Sequence, residues 1–317
     1  RKELLNNMYN SKIENSCYWA CELICAGHFM DLWEIILYFI SRHIHLGNPK
    51  LPIYIDMRFQ SFKEIVQNGY VGNELSMRNN DKVRKLFTEI ICVLCNSIKK
   101  HSFESIKIKN DDYDMSSMTD RLKAHNIKYI EPVYQKDDPK ELFIALNELA
   151  FHISKDSNNM VSACYWIEWI IEFENRCKKR KEKCEGARRS HNFIQDKYQK
   201  DIIWIVWDVL LNEGAKKPKL HLKIIKSSLN LFGLRYTPNA KRKRKFLIYF
   251  IVSILTEPVN TSINIINNAK LIENVQSKID IIYKQVKKNE KKPETDYLFN
   301  NKISKSNVEK TAEKLEK

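Results

Sequence analysis

Apolar residues recur at helical spacing along most of this chain. From Glu14 to Ala26 they occupy positions 17, 18, 20, 21, 24 and 25, a stripe on one helical face that Gly27 can close in the left-handed conformation. The period resumes from Phe29 to His45, which predicts a helical hairpin. Leu46-Gly47-Asn48-Pro49 stops it, and Pro52 stands at a first helical position. The helix it opens runs through Ile55, Phe59, Phe62 and Ile65 to Gly69. Asp81 to Lys100 predicts a fourth helix that buries Val83, Phe87, Ile90, Ile91, Leu94 and Ile98.

Residues 102 to 137 lose this regularity and read as a surface linker, with Tyr129-Ile130 as a short extended piece before Pro132. Asp138-Pro139-x-Glu141 combines a cap, a first-turn proline and an acidic third position, and predicts an amphipathic helix to Ile153. Further helices are expected near 159–183, 196–212, 219–231 and 240–256, and after Pro258 near 266–288. The rest is a charged tail, expected to be mobile when alone, with one apolar island, Tyr297-Leu298-Phe299. A weak helix capped by Ser306-x-x-Glu309 ends it.

Words repeat as well as the pattern. Cys17-Tyr18-Trp19 returns as Cys164-Tyr165-Trp166, Pro49-Lys50-Leu51 as Pro218-Lys219-Leu220, and Arg84-Lys85-Leu86-Phe87 as Arg244-Lys245-Phe246-Leu247, in the same order at offsets of 147, 169 and 160. The expectation is an all-α chain in which a roughly four-helix unit is used twice. It divides into a first repeat at 1–103, a linker with one helix at 104–157, a second repeat at 158–258, a C-terminal helix at 259–290 and the tail at 291–317. The two units are expected to superpose, with Tyr18 on Tyr165 and Leu86 on Phe246.

The 317 residues include only seven glycines and eight prolines, too few for many tight hairpins or Gly-rich phosphate loops. Fifty-four Lys and Arg against 39 Asp and Glu leave a formal charge of +15, a field that attracts nucleic acid or another polyanion. An AT-rich genome writes a similar composition. The eight cysteines lie mostly in apolar helical runs, so reduced thiols in an intracellular compartment are expected. Phe246 to Leu255, the longest uncharged apolar stretch, is about half the roughly 20 residues a membrane span needs. A first residue of Arg rather than Met raises the expectation of an upstream portion.

The Tyr18-Trp19 helix, the Gly27 turn, the second apolar helix and the stop Ile44-His45-Leu46-Gly47-Asn48-Pro49 together resemble the C-terminal helical region of RarA/MgsA-type clamp-loader-related AAA+ ATPases, over residues 17–51. In that family the region assembles subunits and the ATPase core lies upstream. The sequence has no G-x-x-x-x-G-K-[ST] loop, so the resemblance does not carry ATPase activity here. Residues 17–51, 166–173 and 295–299 are also similar to uncharacterised proteins of nucleocytoplasmic large DNA viruses. That resemblance implies a virus factory in host cytoplasm, a virion or a nucleus as the setting, and brings no activity.

Among chemistry-bearing residues, Cys17, Cys21 and Cys25 share a helical face and fit buried thiols better than zinc ligands. His43 and His45, which end the next helix, would complete that first set; Cys177, Cys184 and His191 are better placed, in a polar junction between helices, but their spacing matches no standard finger. Glu168, Glu172 and Glu174 flank Trp166 and Trp169, and read as a solvent-facing set rather than as acid and base. Trp19, Trp33, Trp166, Trp204 and Trp207 lie on the apolar period and read as core rather than as base-stacking platforms.

The strongest functional signal is two basic clusters. One comprises Arg176, Lys178, Lys179, Arg180, Lys181, Lys183, Arg188 and Arg189. The other is Lys241, Arg242, Lys243, Arg244 and Lys245. The second opens a helix, where positive charge opposes the macrodipole, so helix stability does not explain it. Phosphate contact does, with a nuclear-import signal or a solvated face as rivals. These readings combine in a non-enzymatic, cofactor-free, nucleic-acid-associated or assembly scaffold of a large DNA virus, possible roles including replication. It is expected to have protein partners, homo-oligomers among them. The alternative is a minor capsid or interior virion component.

Overall fold

A computed structural model describes residues 1–71, 73–191 and 194–289. The charged tail, with its apolar island and capping box, lies outside these residues. Among them the chain is all helical, with no strand. The order is α1 (Lys2–Tyr9), α2 (Ile13–Cys25), α3 (Phe29–Phe39), α4 (Leu51–Gln67), α5 (Asp81–Asn96), α6 (Met115–Arg121), α7 (Phe143–Ile153), α8 (Met160–Lys179), α9 (Ile203–Gly214), α10 (Lys219–Phe232), α11 (Ala240–Lys243), α12 (Lys245–Thr256) and α13 (Ala269–Asn289).

Local chemistry sets most of the boundaries. Gly27 ends α2 at φ 75°, with His28 N–H on Leu23 O and Gly27 N–H on Ile24 O, the paired bonds of a Schellman cap. Pro52 lies in the first turn of α4. Asn80 caps α5 by accepting from the amides of Lys82 and Val83. α1 was not foreseen; its short apolar face, Leu4 and Met8, is buried against α2 and α5.

Departures from the periodicity have tertiary causes. The apolar run after Phe29 leaves the α-helix at Phe39, passes through a π-turn at Ile40–Ile44 and a 3-10 turn at His45–Gly47, and meets the segment that follows α5. There Lys100 N–H bonds Ile44 O and Ser102 N–H bonds Arg42 O. A Cβ on Gly47 would lie 2.1 Å from Ile98 O, so only glycine permits this approach. α5 therefore stops at Asn96, and Ile98, expected inside, is 64% exposed. Tyr129-Ile130 forms turns, not an extended piece; Ile130 is buried and its amide donates to Asn147 Oδ1. The helix expected at 240–256 breaks at Arg244 into α11 and α12.

One hydrophobic cluster runs from Leu4 in α1 to Val286 in α13. α12 is at its centre: every residue from Leu247 to Leu255 is buried, because α12 meets α3, the π-turn, α7, α8, α9 and α10. A helix enclosed on all sides has no need of a polar face. α7, expected to be amphipathic, is likewise buried throughout from Ala145 to Ile153, against α8, α9 and α12.

Some helix contacts of the N-terminal half have counterparts in the C-terminal half, but α2 packs on α3 while α8 and α9 make no comparable contact. α1 packs on α2 as α7 does on α8, α2 on α5 as α8 on α12, and α4 on α5 as α10 on α12, while α4 and α10 pack on each other. The matched words do not have matched surroundings. Trp166 is 1% exposed, whereas Trp19, expected inside, is 37% exposed. α8 is wrapped by α7, α12 and the 110–113 turn, whose Tyr113 and Asp112 bond Trp169. α2 turns its Cys17, Ala20, Cys21 and Ile24 face inward and leaves Trp19 on the rim.

His45 carries the most unusual backbone of the π-turn junction, with φ 48° at a buried, non-glycine residue. Its Nε2 has no hydrogen-bond partner and its ring packs edge-on to Phe250. Burial, then Lys100 and Arg42, push its pKa down to about 4. Burial also lowers His43, His191 and His221. The unfolded chain therefore binds more protons than the folded one between about pH 6.5 and 4, so stability is complete above that window and is lost as pH falls through it. The His45 contribution is about 3 kcal/mol when fully expressed. Guanidinium unfolding at pH 7 and pH 4.5 should show a fall in the wild-type midpoint, and a smaller fall in His45→Asn.

Candidate polyanion interface

α8 ends in Arg176, Lys178 and Lys179, cations at the negative end of the helix dipole. Glu182 N–H bonds Cys177 O and Lys181 N–H bonds Lys178 O, again a Schellman cap, but here the left-handed position (φ 62°) is held by Lys181. A side chain there costs roughly 1 kcal/mol relative to glycine. The chain returns to the body at 186–189, where Gly186 N–H bonds Lys200 O and Arg189 N–H bonds Gln199 O.

The thirteen cations of the two clusters separate by position. Arg189, Lys241 and Arg244 are buried, contrary to their assignment to a phosphate surface. Arg189 grips Asp138 with both terminal nitrogens (2.7 and 2.8 Å), and its Nε donates to Asp208 at 2.6 Å. Burial pushes the Asp138 carboxyl up, but Arg189 and the amides of Gln135 and Ala187 outweigh it and hold the group below its usual range. Asp138, expected as a helix cap, instead ties the 133–138 turns to the 187–189 segment. Lys241 bonds Glu174 and, at 2.8 Å, Asp201. Arg244 joins Phe232 O to Glu34 of α3.

Two more are half-buried. Lys245 bonds Glu168 at 2.9 Å and also Ser105, and Arg176 lies 4.1 Å over the Tyr113 ring. The positive charge at the start of α12 is thus answered by acids from elsewhere in the fold. Glu168 and Glu174, expected to face solvent, are those counter-charges; Glu168 also accepts from Tyr249. Buried charges need such partners.

Lys178, Lys179, Arg180, Lys181, Lys183, Arg188, Arg242 and Lys243 remain exposed. Lys178 bonds Glu174, Lys179 and Arg180 make 3.9 Å pairs with Glu172 and Glu182, and Arg188 meets Asp196 at 3.2 Å. Lys181, Lys183, Arg242 and Lys243 make no ion pair among the described residues. The fold brings the two clusters together: Glu174 accepts from both Lys178 and Lys241, and a cleft of about 120 Å³ is lined by Asn175, Lys178, Pro238, Asn239, Lys241 and Arg242.

A larger cleft, about 710 Å³, adjoins the N-terminal half of α8. It holds Lys107, Lys109, Arg121 and Lys123, with Asp111, Asp112 and Asp120 among them. Arg121 lies 4.1 Å over Tyr165 and pairs with Asp112. These cations are dispersed among acids in sequence, so no run of charge marks them, and the mixed lining gives no strong field.

Cys17, Cys21 and Cys25 are buried, as are Trp33, Trp166, Trp169, Trp204 and Trp207. Cys177 and Cys184 lie side by side; burial raises both thiols, Cys184 to about 12. His191 faces the Trp204 ring. No group of three or more His, Cys, Asp or Glu side chains among the described residues is placed to hold a metal ion, and no helix among them is long and apolar enough to cross a membrane. Searches against protein-family models, curated proteins and solved structures found no match to this chain.

Proposed function

We propose that this chain is a non-enzymatic scaffold that binds nucleic-acid backbone through the exposed cations at the C-terminal end of α8 and at α11. The observation that carries this reading is the convergence of two basic segments, about 60 residues apart in sequence, on one site around Glu174 after the fold has paired its buried charges internally. Lys181 adds support, because a cation occupies a backbone position that glycine would fill at lower conformational cost. Contacts of this type read phosphate rather than base, so binding should be indifferent to sequence and steeply salt-dependent.

The test is titration of a duplex and of a single-stranded oligonucleotide over a range of salt concentrations. Four phosphate contacts, one for each cation without an internal ion pair, give a log-log slope of about −3.6 on duplex, at roughly −0.9 per contact. Replacing Lys181, Lys183, Arg242 and Lys243 by Gln should flatten that slope and weaken all sequences alike, with helical content unchanged. Absence of salt-dependent binding in the wild type, or an unchanged slope in the variant, would remove this reading and leave the clusters as a solvated face or an import signal.

A further inference from the structure

α13 has more apolar surface than its neighbours cover. Ile272, Ile279, Tyr283 and Val286 are buried, and α13 packs on α2 and α5. Beside them Leu271, Val275, Lys278, Ile282 and Gln285 form a second line, spaced alternately four and three residues apart. That is the spacing with which a helix meets another apolar element along a seam. The line is one wall of a groove of about 580 Å³, and Ile13, Glu14, Asn15 and Tyr18 form the other. Leu271, Val275, Ile282, Ile13 and Tyr18 are half-buried, and Ile281 on the rim is 58% exposed.

The chain itself supplies an occupant. α13 ends at Asn289, about one turn beyond Gln285, and residues 290–317 lie outside the described residues. Within that segment Tyr297-Leu298-Phe299 is the one run of three consecutive apolar residues. The seven residues 290–296 can span up to roughly 23–25 Å when extended. From Asn289, where the segment leaves the helix, back to Val275 is about 21 Å along the axis, so the apolar run reaches the groove from Gln285 as far as Val275. We propose that Tyr297-Leu298-Phe299 folds back along α13 and fills the groove between α13 and α2. This inference stands independently of the polyanion reading.

Limited proteolysis of the full chain tests it. Chymotrypsin should cleave within 297–299 slowly in the wild type and about tenfold faster when Val275→Lys and Ile282→Lys line the groove with charge, since cleavage tracks the population of the released segment. Leu298→Ser alters only the docking segment and so leaves the helical body folded. It should raise tryptic cleavage after Lys302 by a similar factor, and it decides the matter if the groove variant loses helicity. Equal cleavage rates in wild type and Leu298→Ser would overturn the proposal. So would protection that disappears on dilution together with a dimer in sedimentation, because the occupant would then be a second copy of the chain.

Discussion

Arg189→Met is expected to lower the unfolding free energy by about 3–5 kcal/mol, the cost of leaving a buried charge without its partner. Asp138 is fully buried and would keep only the amides of Gln135 and Ala187, while Asp208 would lose its guanidinium. The neighbouring Arg188→Met should cost no more than about 1 kcal/mol, because that side chain is half exposed, its ion-pair partner Asp196 is in solvent, and only its Nε donation to Gln199 Oε1 at 2.6 Å reaches a buried group. Lys241→Met and Arg242→Met form a second contrast of the same kind, with the larger loss at Lys241. Chemical denaturation of the four single variants measures both contrasts. Equal midpoints for Arg188→Met and Arg189→Met would sink the assignment of Arg189 to an internal tie. The result also governs the binding experiment: neutralising Lys241 or Arg244 perturbs the fold, so a loss of binding in such variants says nothing about phosphate contact.

Trp166→Ala should cost about 3–5 kcal/mol, the range for truncating a large buried aromatic where the site collapses only partly. Its ring packs against Tyr165 and Trp169 in a helix enclosed on several sides. Trp19→Ala, at the matched position of the repeated Cys-Tyr-Trp word, should cost less than about 1 kcal/mol, since the ring is part-exposed and touches Tyr18 edge-on. Thermal or denaturant unfolding of the two variants gives the comparison directly. Comparable losses would mean that Trp19 is covered in solution, and would locate a contact surface on that rim of α2.

Helix content and most helix ends were determined by the sequence itself, because they depend on interactions within a few residues. Apolar spacing, the left-handed Gly27 and Gly69, the proline at the start of α4 and the asparagine cap of α5 all act locally. The burial of Cys17, Cys21, Cys25 and four of the five stripe tryptophans was legible for the same reason. Tertiary structure decided where a helix yields to a neighbour: the π-turn at Ile40–Ile44, the early stop of α5 beside Gly47, and the break at Arg244 all arise from contact with segments distant in sequence. It also decided which cations are available. Within the run Lys241-Arg242-Lys243-Arg244-Lys245 the charges are alike, yet Lys241 and Arg244 point inward to Glu174, Asp201 and Glu34, and Arg242 and Lys243 point outward. A charge run states how much positive charge a segment carries. Which part of it solvent or a partner can meet depends on where the fold places the opposing carboxylates, and those come from α3, α8 and the turn before α9, up to 210 residues away in the chain.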